Sequence, residues 1–309
     1  MTLQQLEYLL ALDKTRHFVK AAEMCGVTQP TLSAMIQKLE DELDCFIFDR
    51  RQHPIAPTAI GRKIIEQANV ILFNSNQLRQ IVLTEKQQIT GALQMAVIPT
   101  IAAYLLPSFI KNFREDYPTV SLRVSEMLTG TILENLRTAQ IDMAILATPL
   151  NNSNLLEIPL YYEKFVAYVA PSDPLYCETE VPAHHLPLER LWILQDGHCL
   201  RNQVFNFCDD ENRNHETVYE AGSIDTLVQI VDANGGFTII PELHIHLLSD
   251  KQKENLRNLT APEVTREISI IIRTDFVKEG MLNAVAQCVK KQIPEHMLDT
   301  HLKKFAIRL

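Results

Sequence analysis

No two cysteines in this sequence are spaced C-x-x-C, although there are six, at positions 25, 45, 177, 199, 208 and 288. That absence argues against a zinc ribbon or a thioredoxin-type redox site. There is no H-E-x-x-H motif either. His184, His185, His198, His244 and His246 are scattered, so no metal is expected. Gly235-Gly236 reads as a helix end rather than a dinucleotide fingerprint, and no other cofactor is assigned. No apolar run approaches the roughly 20 residues of a membrane span. The first residues lack the basic segment and apolar core of a signal peptide. A cytoplasmic chain with its thiols reduced at rest is therefore expected. Positive charge is not in excess: the formal net charge is -9. This argues against general attraction to nucleic acid but leaves room for a local basic patch.

The chain does have bulk. It is 309 residues long and 46% apolar, enough for two or three domains with separate cores. Near the start, Leu3, Leu6, Leu9, Leu10 and Leu12 recur at helical spacing, and Phe18, Ala21 and Ala22 continue an apolar face in a second helix. Gly26 suits the turn that ends that helix. Thr28 is placed to cap the next, with Pro30 in its first turn. Leu32, Ile36, Leu39 and Leu43 form its expected buried stripe. Two short helices joined in this way predict a helix-turn-helix, the second helix entering the DNA major groove. Gln29, Pro30, Thr31, Ser33, Gln37 and Lys38 are the candidate DNA contacts on it. Residues 49–59 look like a hairpin or wing, on which Arg50 and Arg51 are candidates for phosphate contact. Residues 1–65 hold eight Lys or Arg and eight Asp or Glu. One neutral copy should bind DNA modestly, which implies a dimer on two half-sites.

A long helix is expected over 58–89, with Ile64, Ile71 and Leu78 every seven positions and Ala68, Ser75 and Val82 between them. It reads as a linker that dimerises side by side. From Gly91 onward, strands alternate with helices. This predicts a mostly parallel α/β sheet covered on both faces, passing near Tyr161–Phe165 into a second lobe and returning near Ile268. Ligands of such sheets sit beyond strand C-terminal ends. Thr100, Thr129, His198 and Cys199 all follow predicted strands.

Cys199 and Cys208 are nine positions apart, and His198 and Arg201 flank the first. A nearby cation favours thiolate, the reactive form, and a sulfenic acid condenses with a second thiol to a disulfide. If the segment is helical, nine residues rise roughly 13–14 Å, whereas a disulfide needs Cα atoms within about 7 Å. Such a bond requires local structure to be lost first, as a two-state switch does. The bland alternative is a pair of small buried hydrophobes among Leu200, Val204, Phe205 and Phe207.

Several segments resemble the LysR-type transcriptional regulators. They are Phe18-Val19-Lys20-Ala21-Ala22-Glu23, Val27-Thr28-Gln29-Pro30-Thr31-Leu32-Ser33, Ile36-Gln37-Lys38-Leu39-Glu40-Asp41-Glu42-Leu43, Phe46-Ile47-Phe48-Asp49-Arg50 and Thr58-Ala59-Ile60-Gly61. Gly197-His198-Cys199-Leu200-Arg201 with Phe207-Cys208 is similar to the peroxide-sensing members. The last N-terminal segment departs from the family's Thr-x-Ala-Gly. The resemblance implies an α/β chain with an N-terminal winged helix-turn-helix domain (1–60) and a linker helix (58–89). It also implies a two-lobed regulatory domain arranged like a periplasmic binding protein: lobe I over 91–162 and 268–309, and lobe II over 163–267 with the redox switch. It implies Cys199 as peroxidatic cysteine and Cys208 as its resolving partner, a peroxide pocket from Thr100, Thr129 and His198, and Arg201 nearby. Asp142 and Arg273 match positions linked to activation. The implied partners are promoter DNA, RNA polymerase, hydrogen peroxide as signal and a cellular dithiol reductant, with homodimers assembling to a homotetramer. The implied function is an activator of peroxide-defence genes, not an enzyme and not membrane-bound. Two other readings remain: a regulator answering an organic effector in the interlobe cleft, and a thiol peroxidase, against which the helix-turn-helix argues.

Overall fold

The structure is a computed structural model describing residues 1–85, 89–150, 152–207, 220–260 and 264–298. It divides into two compact units, one of Met1–Gln87 with Arg137–Gln140, the other of the remainder.

The first unit begins with α1 (Leu3–Thr15), α2 (Phe18–Met24) and α3 (Gln29–Glu42). Thr2 and Gln5 form a capping box on α1. Thr28 caps α3, with Pro30 in its first turn, and Gly26 makes the preceding turn at φ +66°. Leu6, Leu9, Leu12, Ala21, Leu32, Ile36 and Leu39 are almost wholly buried. Leu3 and Leu43 depart from the expected stripes and are exposed. Each lies at a helix boundary, Leu43 one residue beyond the end of α3, where the apolar face no longer has a neighbour. A two-stranded wing follows, β1 (Phe48–Asp49) antiparallel to β2 (Ala56–Pro57), and then the 27-residue α4 (Ala59–Glu85).

Glu40 locks the wing to α3. Its buried carboxylate accepts from the Ile47 and Phe48 amides at 2.8 and 3.2 Å and from Arg50 at 2.8 Å. The start of α4 is fastened at the same place. Thr58 donates its hydroxyl to the Phe46 carbonyl at 2.8 Å and accepts from the Gly61 amide at 2.9 Å. Ile64, Ile71 and Leu72 pack on this core, whereas Leu78, Ile81 and Val82 are exposed.

The second unit contains β3 (Gly91–Val97), α5 (Pro99–Asp116), β4 (Val120–Glu126), α6 (Thr129–Arg137), β5 (Met143–Thr148), β6 (Leu155–Val169), β7 (Glu180–Pro182), β8 (Ile193–Leu194), α7 (Cys199–Phe207), β9 (Glu220–Ala221), α8 (Ile224–Asn234), β10 (Phe237–Pro241), α9 (Asp250–Lys253), β11 (Leu256–Thr260), β12 (Thr265–Arg273) and α10 (Glu279–Lys290). The α/β class is as expected, but the main sheet is mixed rather than mostly parallel. β3 runs parallel to β4 and β5. β12 runs antiparallel to β5 and β6, and β6 antiparallel to β10 and β11. The reason is that β6 and β12 are long crossing strands whose connections from β5 and β11 are too short for the crossover helices that enforce parallel pairing.

Two cores result. One surrounds β3, β5, α5 and α10; the other surrounds β10, α7 and α8. β6 serves both, giving Leu160 and Tyr161 to the first and Phe165–Val169 to the second. The strand thus runs unbroken through the expected lobe boundary at 162/163. Among the described residues no helix is long and apolar enough to cross a membrane.

A Cβ at Gly61 would meet the Ile47 carbonyl oxygen at 2.0 Å. Gly61→Ala must push α4 off the wing and should cost about 1–3 kcal/mol by overpacking, seen as a lower melting temperature of the N-terminal unit.

Candidate functional site

Cys199 is the first residue of α7 and is 6% exposed, with a free thiol. The chain reaches it through Gly197 at φ +92° and the buried His198. A side chain at Gly197 would be strained and would meet Leu128 at 3.1 Å. Cys199 packs in the first core, while the next residue, Leu200, packs in the second with Val204 and Phe205. The helix therefore belongs to one core and its leading thiol to the other.

Burial pushes the Cys199 thiol up from its ordinary value. The Arg266 guanidinium, the Thr129 hydroxyl and the Leu200 and Cys199 amides pull the other way. The amides are the open N-terminus of α7, which favours negative charge. Burial prevails, so the resting group is the neutral thiol.

The cation at the sulfur is thus Arg266, not the neighbouring Arg201. Arg201 is turned away: it donates to the Leu194 carbonyl at 2.8 Å, pairs with Glu220 at 2.8 Å and lies over the Phe205 ring at 5.3 Å. Arg266 is wholly buried. Opposite it on β6 stands Glu163, whose Oε1 receives Nε and Nη2 at 2.8 and 2.7 Å. Arg266 Nη1 donates to the Thr100 hydroxyl at 3.0 Å and Nη2 to the Thr100 carbonyl at 3.3 Å. The Glu163 carboxylate holds the guanidinium above its ordinary value despite burial. Sequence reading missed both residues. The sequence signal was weak, because Glu163 stands beside Lys164 in β6 and Arg266 beside Glu267 in β12.

The structure brings Thr100, Thr129 and Cys199 around Arg266. Thr129 is the first residue of α6. Its buried hydroxyl makes no hydrogen bond among the described residues but stands close enough to the sulfur to favour the thiolate. His198 is 3% exposed, and neither ring nitrogen has a partner among the described residues. Burial holds its imidazole below the ordinary value. Gln203, fully buried on α7, also leaves both ends of its amide unpaired among the described residues. Cys208 and its acidic neighbours Asp209, Asp210 and Glu211 lie outside the described residues. No group of His, Cys, Asp and Glu placed to hold a metal ion occurs among the described residues. His244, just beyond the end of β10, is 1% exposed and faces Asp225 at 3.4 Å. It belongs to a separate groove with Leu106, Pro107 and Glu126 that contains none of the predicted redox residues.

On the first unit, Gln29, Pro30, Thr31, Gln37 and Lys38 are exposed along α3, and Ser33 is half-buried. Arg50 is committed to Glu40 and lies over the Phe18 ring at 5.6 Å, whereas Arg51 is 96% exposed. Asp142 is buried, accepting from the Gln94 amide at 2.8 Å and from Lys278 at 2.7 Å. Arg273 pairs with Asp275 at 2.6 Å. Both activation candidates thus have work inside the fold.

Two family descriptions match the chain: the bacterial regulatory helix-turn-helix protein of the lysR family over residues 3–62, and the LysR substrate binding domain over residues 86–294. The protein belongs to the LysR family of bacterial regulators. Within it, the chain is similar to the hydrogen peroxide-inducible genes activator of Haemophilus influenzae, 32% identical over 95% of this chain and 97% of that protein. It is also similar to full-length OxyR from Pseudomonas aeruginosa, a Cys-to-Asp variant, at 30% identity and a TM-score of 0.79, covering 94% of this chain and 98% of that one. The hydrogen peroxide-bound structure of a Corynebacterium glutamicum OxyR Cys-to-Ser mutant is similar at 26% identity and a TM-score of 0.63, covering 100% and 97%.

Two measurements bear on this site. A buried amide without partners is unfavourable, so Gln203→Leu should leave the stability of the reduced protein unchanged or raise it by about 1–3 kcal/mol. Because the folded state disfavours His198 protonation, its contribution is full above the unfolded histidine value of about 6.5 and is lost as pH falls below it. Urea midpoints should therefore drop on acidification, and drop less in His198→Gln.

Proposed function

We propose that this chain is a peroxide-responsive transcription activator whose sensing thiol is Cys199. One observation carries the reading: a buried thiol at a helix N-terminus shares a guanidinium and a threonine hydroxyl placed to stabilise its thiolate. The similarity to proteins named as hydrogen peroxide-inducible activators supports the same reading.

The chemistry follows from these groups. Once ionised, the Cys199 sulfur attacks one peroxide oxygen. The O–O bond breaks, sulfur becomes sulfenic acid, and the second oxygen leaves as hydroxide, which takes a proton to become water. Thr100, Thr129 and His198 orient the oxidant, and Arg266 stabilises charge on the departing oxygen. Cys208 then attacks the sulfenic sulfur after α7 opens, giving the disulfide and water. Closing a loop of about ten residues is worth about 2.7 kcal/mol on the entropy model, comparable with what shifts a two-state equilibrium. A cellular dithiol reverses the bond. The exposed face of α3 and Arg51 contact promoter DNA, two copies pair through α4, and two pairs form the tetramer that engages RNA polymerase.

Peptide mapping with trapped thiols, before and after one equivalent of peroxide, tests this reading. The expected product is a Cys199–Cys208 bond that dithiothreitol reverses and that Cys199→Ser abolishes, with a changed DNA footprint. Both thiols remaining free in folded protein would defeat the peroxide reading.

A further inference from the structure

The carboxylate of Glu163 is unevenly occupied. Its Oε1 accepts from Arg266 Nε, Arg266 Nη2 and the Tyr104 hydroxyl, the last at 2.8 Å. Its Oε2 is buried and has no partner among the described residues. Tyr104 spends its one proton on Glu163, so Tyr161 must be the donor in the 2.7 Å Tyr161–Tyr104 contact. A chain of donors thus runs from Tyr161 through Tyr104 to Glu163. The carboxylate then meets Arg266 at Nε and Nη2, while Thr100 takes Nη1 and shares Nη2.

Four donations by Arg266 are accounted for by Glu163 and Thr100. Guanidinium has five N–H groups, so the second Nη1 proton remains. Arg266 therefore answers to two anions in turn: Glu163 always, and the Cys199 sulfur when it ionises. The more negative charge Glu163 presents, the less of the cation's field reaches the sulfur. The hydrogen bond from Tyr104 spreads that negative charge, and Tyr161 strengthens the bond by polarising Tyr104.

We propose that Glu163 is a positioning residue that sets, through Arg266, how readily the Cys199 thiol ionises, and that the Tyr161–Tyr104 pair tunes it. Glu163 touches neither oxidant nor sulfur; it acts by competing for the guanidinium. The inference rests on Cys199 being the reacting thiol. It also predicts that the sensor's threshold can be changed without touching the residues around the oxidant.

The test is the pH dependence of Cys199 modification in the full-length protein, followed peptide by peptide with monobromobimane and, separately, with hydrogen peroxide. Glu163→Gln keeps an oxygen for Arg266 but removes the competing charge. Its profile should move to lower pH by about one unit, roughly tenfold more reaction below the wild-type midpoint. Tyr104→Phe leaves the carboxylate charge undiluted, and its profile should move to higher pH. The phenylalanine variant removes a single hydroxyl, so it keeps the question answerable if the buried glutamine variant does not fold. Profiles of folded variants that superimpose on wild type would overturn the proposal. A bimane profile that shifts as expected while peroxide leaves Cys199 untouched would uphold the proposal and defeat the peroxide reading instead.

Discussion

Arg266 and Glu163 face each other across β12 and β6 with no exposed surface on either side chain. Taking two full charges out of water costs several kcal/mol per ion unless nearly every hydrogen-bonding position is filled. That constraint organises the middle of the second unit. It requires Thr100 at the start of α5 to present both hydroxyl and carbonyl, and Tyr104 one turn later to present its hydroxyl. The strands must cross in a register that puts the two ions opposite one another. Strand alternation then places the next pair, Tyr162 and Glu267, on the other face, where the Tyr162 and Thr148 hydroxyls satisfy Glu267 at 2.7 Å each. Both faces of the crossing are thus built from polar groups with few alternatives.

Much of this architecture was legible in the residues, for identifiable reasons. The caps of α3 and α8 rest on Thr28 and Ser223, whose side chains bond the backbone locally and so announce themselves in sequence. Alternating strands and helices announced the α/β class. Strand direction did not follow, because direction depends on what connects two strands, and the connections into β6 and β12 are too short for a crossover helix. Leu43 and Leu3 fit the helical period but lie where a helix ends, and period alone carries no information about where packing stops.

Of the expected site residues, Cys199, Thr100 and Thr129 come together near Arg266, and His198 is buried next to Cys199 in the chain. The cation was misplaced because sequence proximity favoured Arg201, two residues from the thiol. Three-dimensional proximity belongs to Arg266, 67 positions away. Glu40 was missed for the same reason. Nothing local distinguishes it from Asp41 and Glu42, yet it alone is buried and holds the wing amides.

Cys199 and Leu200 are consecutive residues packed into different cores. The thiol is consequently a rivet between the two. Drawing it out of the first core would leave a void of about a methyl group or more, the kind of defect that costs on the order of 1 kcal/mol. Any modification that moved this one sulfur atom would therefore become a loss of fit between two bodies of protein, with no messenger needed in between.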